Sequence, residues 1–145
     1  MTKILIINGP NLNMLGTREP EIYGAHTLSD VEDLCHKTAE QLNLEAVCFQ
    51  SNHEGAIIDK IQESLNNIDG VVINAGAYTH TSIAIHDALK LLTVPIIEVH
   101  ISDIQNREEF RKHSYISYVA ADEIIGKGID GYAQAIEKIR ELIPT

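Results

Sequence analysis

The sequence predicts an α/β fold in which a parallel β-sheet is covered by helices on both faces. Short β-branched runs typical of buried strands recur along the chain, and segments with apolar residues at helical spacing lie between them. Alternation of strand and helix implies right-handed crossovers, and such crossovers make neighbouring strands parallel. With 145 residues, the chain is expected to form one domain, residues 1–145, with a single architecture of three layers.

Five segments are predicted as strands, because each is rich in β-branched and other apolar residues. The first, around Ile4 to Ile7, is almost continuously apolar, as expected for a strand that is buried on both faces. The fifth has the weakest pattern. The predicted strands are residues 3–8, 45–50, 70–74, 95–100 and 116–120.

Four segments between and after these strands have apolar residues three or four positions apart, which is typical of a helix with one buried face. Thr27 and Asp30 have the spacing of a helix-entry capping pair. The four apolar faces comprise Val31, Leu34, Cys35, Thr38 and Leu42; Ile57, Ile61, Leu65 and Ile68; Ile85, Ala88, Leu89 and Leu92; and Tyr132, Ile136, Ile139 and Ile143.

For five parallel strands we predict the flavodoxin-like strand order 2-1-3-4-5. In this arrangement a ligand binds beyond the carboxyl ends of the strands, beside strand 1, where the strand order reverses. The connection between Gly9 and His26 is long for a strand-to-helix loop and is predicted to act as a lid over that site.

Composition and charge exclude several classes of protein. The net charge of −10 has the wrong sign for binding nucleic acid through Lys and Arg, and no apolar run approaches the ~20 residues that span a bilayer. No signal-peptide core follows Met1. Cys35 and Cys48 show neither a disulfide framework nor zinc-site spacing. We therefore expect a cytoplasmic protein with no membrane or nucleic-acid partner.

Uncharged hydrogen-bonding side chains and histidines follow four of the predicted strands. The carboxyl ends of parallel strands lie along one edge of the sheet, so that most of these side chains are expected to converge there. Such a set suits a small, hydroxylated ligand better than a nucleotide base. The residues are Asn8, Asn11, Asn13, Ser51, Asn52, His53, Asn74, Tyr78, Thr79, His80, Thr81, Glu98, His100, Ser102 and Asp103.

Other kinds of site have less support. The turn after strand 1 is neither GxGxxG nor a P-loop, and Pro10 removes a backbone donor that such loops direct at phosphate. His80 and His86 are about 240° apart around a helix, so they do not form a metal-binding face. No GxSxG motif or strand-end cysteine offers a nucleophile. We expect neither a metal nor an organic cofactor.

Acid–base chemistry remains, with His80, His100 and Tyr23 as candidates. A tyrosine that acts as a base near neutral pH needs its pKa lowered from about 10 to about 7, which corresponds to roughly 4 kcal/mol of preferential phenolate stabilisation. Arg18, five residues before Tyr23, is one cation able to supply it. From spacing alone, both residues are equally consistent with an ordinary surface loop.

Several blocks, in this order, resemble the type II 3-dehydroquinate dehydratases of the shikimate pathway over essentially the whole chain. They are Gly9-Pro10-Asn11-Leu12-Asn13, Arg18-Glu19-Pro20 through Tyr23-Gly24, Phe49-Gln50-Ser51-Asn52, Asn74-Ala75-Gly76-Ala77-Tyr78-Thr79-His80-Thr81-Ser82, Glu98-Val99-His100-Ile101-Ser102 and Glu109-Phe110-Arg111 with His113-Ser114.

This resemblance implies cofactor-free dehydration of 3-dehydroquinate to 3-dehydroshikimate by anti elimination through an enol or enolate. Tyr23 would be the base, Arg18 would lower its pKa, and Asn11 would hold a water against the enolate oxygen. His100 would protonate the leaving hydroxyl, with Glu98 beside it. The substrate-binding positions implied are Asn74, His80, Asp87, Ile101, Ser102 and Arg111.

The resemblance also implies a homo-oligomer, a dodecamer built from trimers, in which Asp87 reaches the site of a neighbouring subunit. The helical spacing alone predicts that Asp87 is an outward, solvated side chain. Two departures stand out: Asp103 replaces a common Asn beside the expected carboxylate-binding turn, and His86 replaces a common Arg. Arg107 and Lys112 are predicted to be solvated, whereas Arg111 is predicted to contact substrate.

Two other functions fit the same architecture. A non-catalytic receiver domain needs an acidic pocket and an Asp at the end of strand 3, where this chain has Asn74. A flavin carrier needs a hydroxyl- and Gly-rich phosphate loop after strand 1, which is absent from the sequence. A role in aromatic biosynthesis and a role in quinate breakdown use the same step and are both open.

Overall fold

The computed structural model describes residues 1–17, 21 and 25–144. Five parallel strands form one sheet in the order β2-β1-β3-β4-β5, which confirms the predicted fold class and strand order. The strands are β1 (Lys3–Asn8), β2 (Glu45–Gln50), β3 (Gly70–Asn74), β4 (Ile96–His100) and β5 (Asp122–Ile125).

Within the described residues, four α-helices cover the two faces of this sheet: α1 (Leu28–Gln41), α2 (Glu54–Glu63), α3 (Ile83–Leu89) and α4 (Asp130–Leu142). Helices α1 and α4 pack over one face, against Ile4, Ile6 and Val72. Helices α2 and α3 cover the other face, where Leu5 and Ile7 are buried. The alternation of Ile4, Leu5, Ile6 and Ile7 between two cores explains why this strand is apolar at every position.

Helix α1 begins where the sequence predicts, whereas helix α2 ends earlier than the apolar spacing predicts. Thr27 and Asp30 form the predicted capping box, in which each side chain accepts a hydrogen bond from the other residue's backbone N–H. Helix α2 buries Ile57 and Ile61 as predicted but ends at Glu63. Leu65 and Ile68 therefore lie in the following turn, with Leu65 exposed.

The prediction for the fifth strand is wrong. Ile116–Tyr118 form a short 3-10 turn, and the strand follows at Asp122–Ile125. Ile116 is apolar because it fills the core beside α2 and α3. The true strand lies at the sheet edge with Asp122 and Glu123 exposed, so it lacks the apolar continuity that marks a central strand.

The carboxyl edge of the sheet brings three amide side chains into register. Asn8 at the end of β1 pairs with Gln50 on β2 and with Asn74 on β3. Beyond this edge, the Gly9 N–H donates to the Asn74 carbonyl at 2.8 Å. A Cβ atom on Gly9 would lie 2.3 Å from the Ala75 carbonyl oxygen, so only glycine permits these two turns to meet.

Two further findings concern the described residues as a whole. None of their helices combines the length and the apolar character needed to cross a bilayer. Cys35 is buried, Cys48 is half-buried, and both are free thiols.

Candidate active site

A cavity of about 130 Å³ opens at the carboxyl edge of the sheet, where the strand order predicts a ligand site. Its walls come from the turns after β1, β3 and β4. A larger cavity of about 650 Å³, lined in part by Thr2, Pro95 and Leu142, lies at the opposite edge. The first cavity is lined by Pro10, Asn11, Leu12, Asn74, Gly76, Ala77, His80, His100, Ile101, Ser102, Ile104, Arg107 and Arg111.

The turn after β1 is held by side chains that follow β2. Asn11 adopts a left-handed backbone conformation with φ 69°, and its N–H donates to Oδ1 of Asn52 at 3.0 Å. Nε2 of Gln50 donates to the Gly9 carbonyl at 3.1 Å and to the same Asn52 oxygen at 3.2 Å. These bonds fix Asn11 in the cavity wall.

Asn74 is anchored at both ends of its carboxamide. The Gly76 N–H donates to Oδ1 at 3.1 Å, and Nδ2 donates to the hydroxyl of Tyr132 at 3.0 Å. The Tyr132 hydroxyl in turn donates to Oδ1 of Asn8 at 2.5 Å. Because Tyr132 accepts one hydrogen of Nδ2, the second hydrogen of this group remains for a ligand.

A buried histidine–carboxylate pair lies behind the cavity. Nε2 of His100 contacts Oε2 of Glu98, and Glu98 is fully buried while His100 is 5% exposed. Thr79 and Ser114 also donate to Oε2, at 2.8 Å and 2.7 Å. Burial raises the pKa of Glu98, but His100 and the two hydroxyls outweigh it, so the pKa lies below its ordinary value and the group is a carboxylate.

His80 presents a defined tautomer to the cavity. Its Nδ1 lies 2.8 Å from the carbonyl oxygen of His113, and a carbonyl only accepts, so Nδ1 carries the hydrogen. Burial lowers the pKa of His80, and the nearby charges of His100 and Arg111 lower it further. The neutral ring therefore offers Nε2 as a hydrogen-bond acceptor.

The turn after β4 adds cationic and hydroxyl groups. Ile101 and Ser102 line the cavity as predicted, and Nη1 of Arg107 donates to the Ser102 hydroxyl at 3.3 Å. The prediction that Arg107 is a solvated charge is wrong, because its side chain is only 13% exposed and lies in the wall. Arg111 also lies in the wall, with Nε 3.0 Å from Glu108, whereas Lys112 is exposed.

The departure at Asp103 does not add a charge to the cavity lining. Its Oδ1 accepts from the Gln105 N–H at 3.1 Å and its Oδ2 accepts from Nδ2 of Asn106 at 2.7 Å. The carboxylate thus caps the 3-10 turn Ile104–Asn106 and is not among the cavity-lining groups.

One predicted site residue among the described ones, Asp87, lies away from the cavity. Asp87 points outward on α3 with its side chain 67% exposed, as its helical position predicts, and it pairs with Nδ1 of His86 at 2.8 Å. Arg18 and Tyr23 lie outside the described residues. The described cavity wall therefore contains two histidines, two amides and two arginines, and the Glu98 carboxylate lies behind His100.

Sequence reasoning missed Ser114 and Tyr132, and it predicted Thr79 only as one of the strand-end groups and not as a support of Glu98. Thr79, Ser114 and Tyr132 are buried and bond to Glu98, Asn74 or Asn8. Thr79 and Ser114 stand within the motifs quoted above, but a hydroxyl at the start of a turn is commonly a local capping group, so its role depended on the fold. Tyr132 has the spacing of a core residue and fills that position as well.

The arrangement favours acid–base chemistry on a small anionic molecule. A cationic wall suits a carboxylate, and the amides and His80 suit hydroxyl groups. Among the described residues, no group of three His, Cys, Asp or Glu side chains has the geometry of a metal site.

Comparison with known proteins places the chain among enzymes. The family model described as "Dehydroquinase class II" matches residues 2–140. A protein of Neosartorya fischeri named "Catabolic 3-dehydroquinase 1" is 57% identical over 136 residues, 94% of this chain and 91% of that protein. A "3-dehydroquinate dehydratase" of Prochlorococcus marinus is 57% identical over 139 residues, 96% of this chain and 95% of that protein.

Solved structures agree with the sequence relatives. A type II dehydroquinase from Butyrivibrio crossotus superposes with a TM-score of 0.93 at 51% identity, covering 95% of this chain and 97% of that one. One from Propionibacterium acnes gives a TM-score of 0.94 at 40% identity, covering 97% of each chain. On the evidence of the family match, these relatives and the shared fold, the chain belongs to the class II dehydroquinase family.

Proposed function

We propose that this protein is a hydro-lyase that converts 3-dehydroquinate to 3-dehydroshikimate. The observation that carries the proposal is the buried Glu98–His100 pair at the end of β4, next to a wall containing Arg107 and Arg111. Family membership and the relatives named 3-dehydroquinate dehydratase support the same reaction. The same reaction serves aromatic biosynthesis and quinate breakdown, and the expected compartment is the cytoplasm.

The proposed substrate is a ring that carries a ketone, hydroxyl groups and a carboxylate. The cavity wall has side chains that suit the carboxylate and others that suit the hydroxyl groups. The Ile101–Ser102 turn and Arg111 suit the carboxylate, since charge-assisted hydrogen bonds are the strong ones. Asn74 has one free N–H, and His80 offers an acceptor nitrogen to a hydroxyl. The overall charge of −10 opposes an anion weakly, because charges beyond about 10 Å are screened.

The first step is removal of a proton from the carbon next to the ketone. Tyr23, as a phenolate, takes this proton, and the electron pair of the C–H bond moves onto the ketone oxygen to give an enolate. Arg18 lowers the pKa of Tyr23, and a water held by Asn11 stabilises the enolate oxygen. The assignments of Tyr23 and Arg18 rest on the family resemblance.

The second step expels the hydroxyl group from the adjacent carbon, on the face opposite the proton that was removed. The enolate electrons form the new C=C bond, the C–O bond breaks, and His100 protonates the departing oxygen so that it leaves as water. Glu98 stabilises the positive charge that His100 carries before this transfer. The chemistry uses neither a metal nor an organic cofactor.

The assembly is proposed to be a dodecamer built from trimers. Asp87 is the residue that reaches the neighbouring site, and its exposed position on α3 is compatible with such a contact. Nδ1 of His86 lies 2.8 Å from Oδ1 of Asp87, so this neighbour helps to orient the carboxylate.

The test of the proposed chemistry is a comparison of wild type with Tyr23→Phe. Near-ultraviolet absorbance rises as the conjugated enone carboxylate forms, so it reports turnover directly. We expect turnover by wild type and its near-complete loss in Tyr23→Phe with an unchanged circular dichroism spectrum. Substantial residual activity in the variant would remove Tyr23 as the base.

A further inference from the structure

Two buried hydroxyl groups converge on the carboxylate behind His100. Thr79 follows β3 and is fully buried, and Ser114 lies in the connection between β4 and β5 at 8% exposure. Both donate to the same oxygen, Oε2 of Glu98, that contacts Nε2 of His100. Oε1 of Glu98 has no partner among the described residues. The hydrogen bonds of this carboxylate are thus concentrated on the atom that faces the histidine.

The hydrogens in this cluster can be counted. The Thr79 and Ser114 oxygens are also 2.9 Å apart, but each hydroxyl has one hydrogen. Two hydroxyl hydrogens and the Nε2 hydrogen account for three donors to Oε2, provided that Glu98 is ionised. A protonated Glu98 would instead donate to Nε2, and the ring would become a neutral imidazole.

Other groups near the pair also affect whether the shared proton lies on Glu98 or on His100. Glu123 on β5 is in register with Glu98, and its charge, like burial, favours a protonated Glu98. On the cavity side lie His80, which is neutral near neutral pH, and Arg111, whose positive charge opposes protonation of His100. The two hydroxyls therefore act against burial and against Glu123.

We propose that Thr79 and Ser114 are positioning residues that keep the proton shared by Glu98 and His100 on Nε2 of the histidine. When Nδ1 of His100 also carries a hydrogen, a proton on Nε2 makes the ring an imidazolium, and the Nδ1–H is then acidic enough to protonate a leaving hydroxyl. With the proton on Glu98, the same N–H belongs to a neutral imidazole and is a far weaker acid. The effect on leaving-group protonation rests on the proposed function, whereas the proton position does not.

The chain offers matched variants for both hydroxyls. Thr79→Val removes one hydroxyl at nearly constant volume, and Thr79→Ser restores it. Ser114→Ala removes the other. Ser117→Ala is the control, because its hydroxyl donates to the Ser114 carbonyl at 2.9 Å in the same turn without contacting Glu98. If the double variant does not fold, Ser114→Ala alone carries the test.

The primary measurement is the protonation of Nε2 in protein labelled with nitrogen-15 at histidine, near neutral pH. The His100 signals are identified as those missing from His100→Asn. In wild type, Thr79→Ser and Ser117→Ala, we expect both ring nitrogens of His100 to carry hydrogen. In the double variant, Thr79→Val with Ser114→Ala, we expect the Nε2 signal to move toward the position of a ring nitrogen without hydrogen. The two single variants are expected to give signals between those of wild type and the double variant.

Turnover of 3-dehydroquinate gives a second readout. In the double variant we expect kcat to fall by about 10- to 100-fold, part of the usual contribution of a general acid, while KM changes little. An unchanged Nε2 signal in the folded double variant would overturn the proposal, and so would a raised KM with an intact kcat. An inactive wild type would contradict the proposed function instead, and the nitrogen signals would still decide the proton position.

Discussion

His80 shows how one residue's chemistry follows from its two contacts. The carbonyl of His113 fixes a hydrogen on Nδ1, and partial burial penalises the charged ring. Because a penalty on the charged form means that the proton is lost at lower pH, the pKa of His80 lies below 6.5. His80 is therefore a neutral acceptor near neutral pH.

A nitrogen-15 titration of the labelled protein tests this statement. We expect the His80 ring to remain protonated at Nδ1 throughout, with Nε2 gaining its hydrogen only at a midpoint below 6.5. The signals are assigned with His80→Asn, and a short unstructured histidine peptide serves as the reference. A midpoint above that of the peptide, or a ring with its hydrogen on Nε2, would contradict the assignment.

Tyr132 is a second residue whose hydroxyl has a defined task. It accepts from Asn74 and donates to Asn8, and all three side chains are buried. Burial raises the pKa of Tyr132 well above its ordinary value, so the group is a neutral phenol. Its removal leaves two buried amides without this partner, which costs about 1–3 kcal/mol per group left unpaired in such sites.

Denaturant unfolding of Tyr132→Phe measures that cost. We expect the free energy of unfolding to fall by about 2–6 kcal/mol, the sum for the two amide groups left unpaired. Tyr118→Phe is the matched control, because Tyr118 is 73% exposed and its change is expected to stay within about 0.5 kcal/mol. Equal effects of the two substitutions would show that the buried hydroxyl network does not stabilise the fold.

At the scale of elements, the site depends on how closely the turns after β1 and β3 approach each other. Gly9 has the Ala75 backbone 2.3 Å from where its Cβ would be. A backbone atom does not move aside as a flexible side chain does, so Gly9→Ala must displace one of the two turns. These turns carry Asn11 and Asn74, which both line the cavity.

Gly55 provides the control for this substitution. It lies in α2, and a Cβ there would meet nothing within 4 Å. We expect Gly55→Ala to leave turnover unchanged and to stabilise the protein by up to about 1 kcal/mol, since alanine is the better helix former. Gly9→Ala is expected to destabilise the fold and to abolish most turnover. A fully active and stable Gly9→Ala would contradict the close approach of the two turns.

The same scale shows which features the sequence could predict. Strands β1, β3 and β4 are buried on both faces, so the sequence shows them as apolar runs. Strand β2 lies at the other edge and is mostly half-buried, but its residues 46–49 are still apolar. Alternation with helices predicts parallel strands, and the strand order follows from the flavodoxin-like arrangement. Strand β5 was misplaced because an edge strand with acidic residues has no such run, while Ile116 is apolar for a different reason, its place in the core.

For the site, residues at strand ends could be predicted and their supports could not. Asn74 and His100 are the last residues of buried strands, and His80 ends the short 3-10 turn that follows β3. Thr79 and Ser114 are 35 positions apart, and their common contact with Glu98 depends on two connections that pack only in the fold. Arg107 stands in a charged segment, which predicts a solvated side chain. In the fold, the connection after β4 brings this side chain into the cavity wall.

At the scale of the whole molecule, the proposed assembly makes a prediction about mixtures of variants. If Asp87 completes the site of a neighbouring subunit, Asp87→Ala and His100→Asn each inactivate different sites. Subunits that exchange after mixing then form some sites with both residues intact. We expect the mixture to regain part of the wild-type activity, up to about one quarter for random mixing in equal amounts.

Light scattering on the purified protein accompanies this experiment. We expect a mass of twelve subunits for wild type and for both variants. Full activity in a monomeric wild type, or full activity of assembled Asp87→Ala, would remove Asp87 from the neighbouring site. Unmixed samples of each variant, carried through the same exchange procedure, are the control.

The central claim is that this cavity dehydrates 3-dehydroquinate by anti elimination without a metal. It is tested most directly with metal-stripped wild type and substrate that carries deuterium on the carbon next to the ketone, in the position anti to the leaving hydroxyl. Mass spectrometry of the product reads the label. We expect rapid formation of 3-dehydroshikimate that has lost the deuterium. Product that retains it, or no product from the folded protein, would contradict the claim.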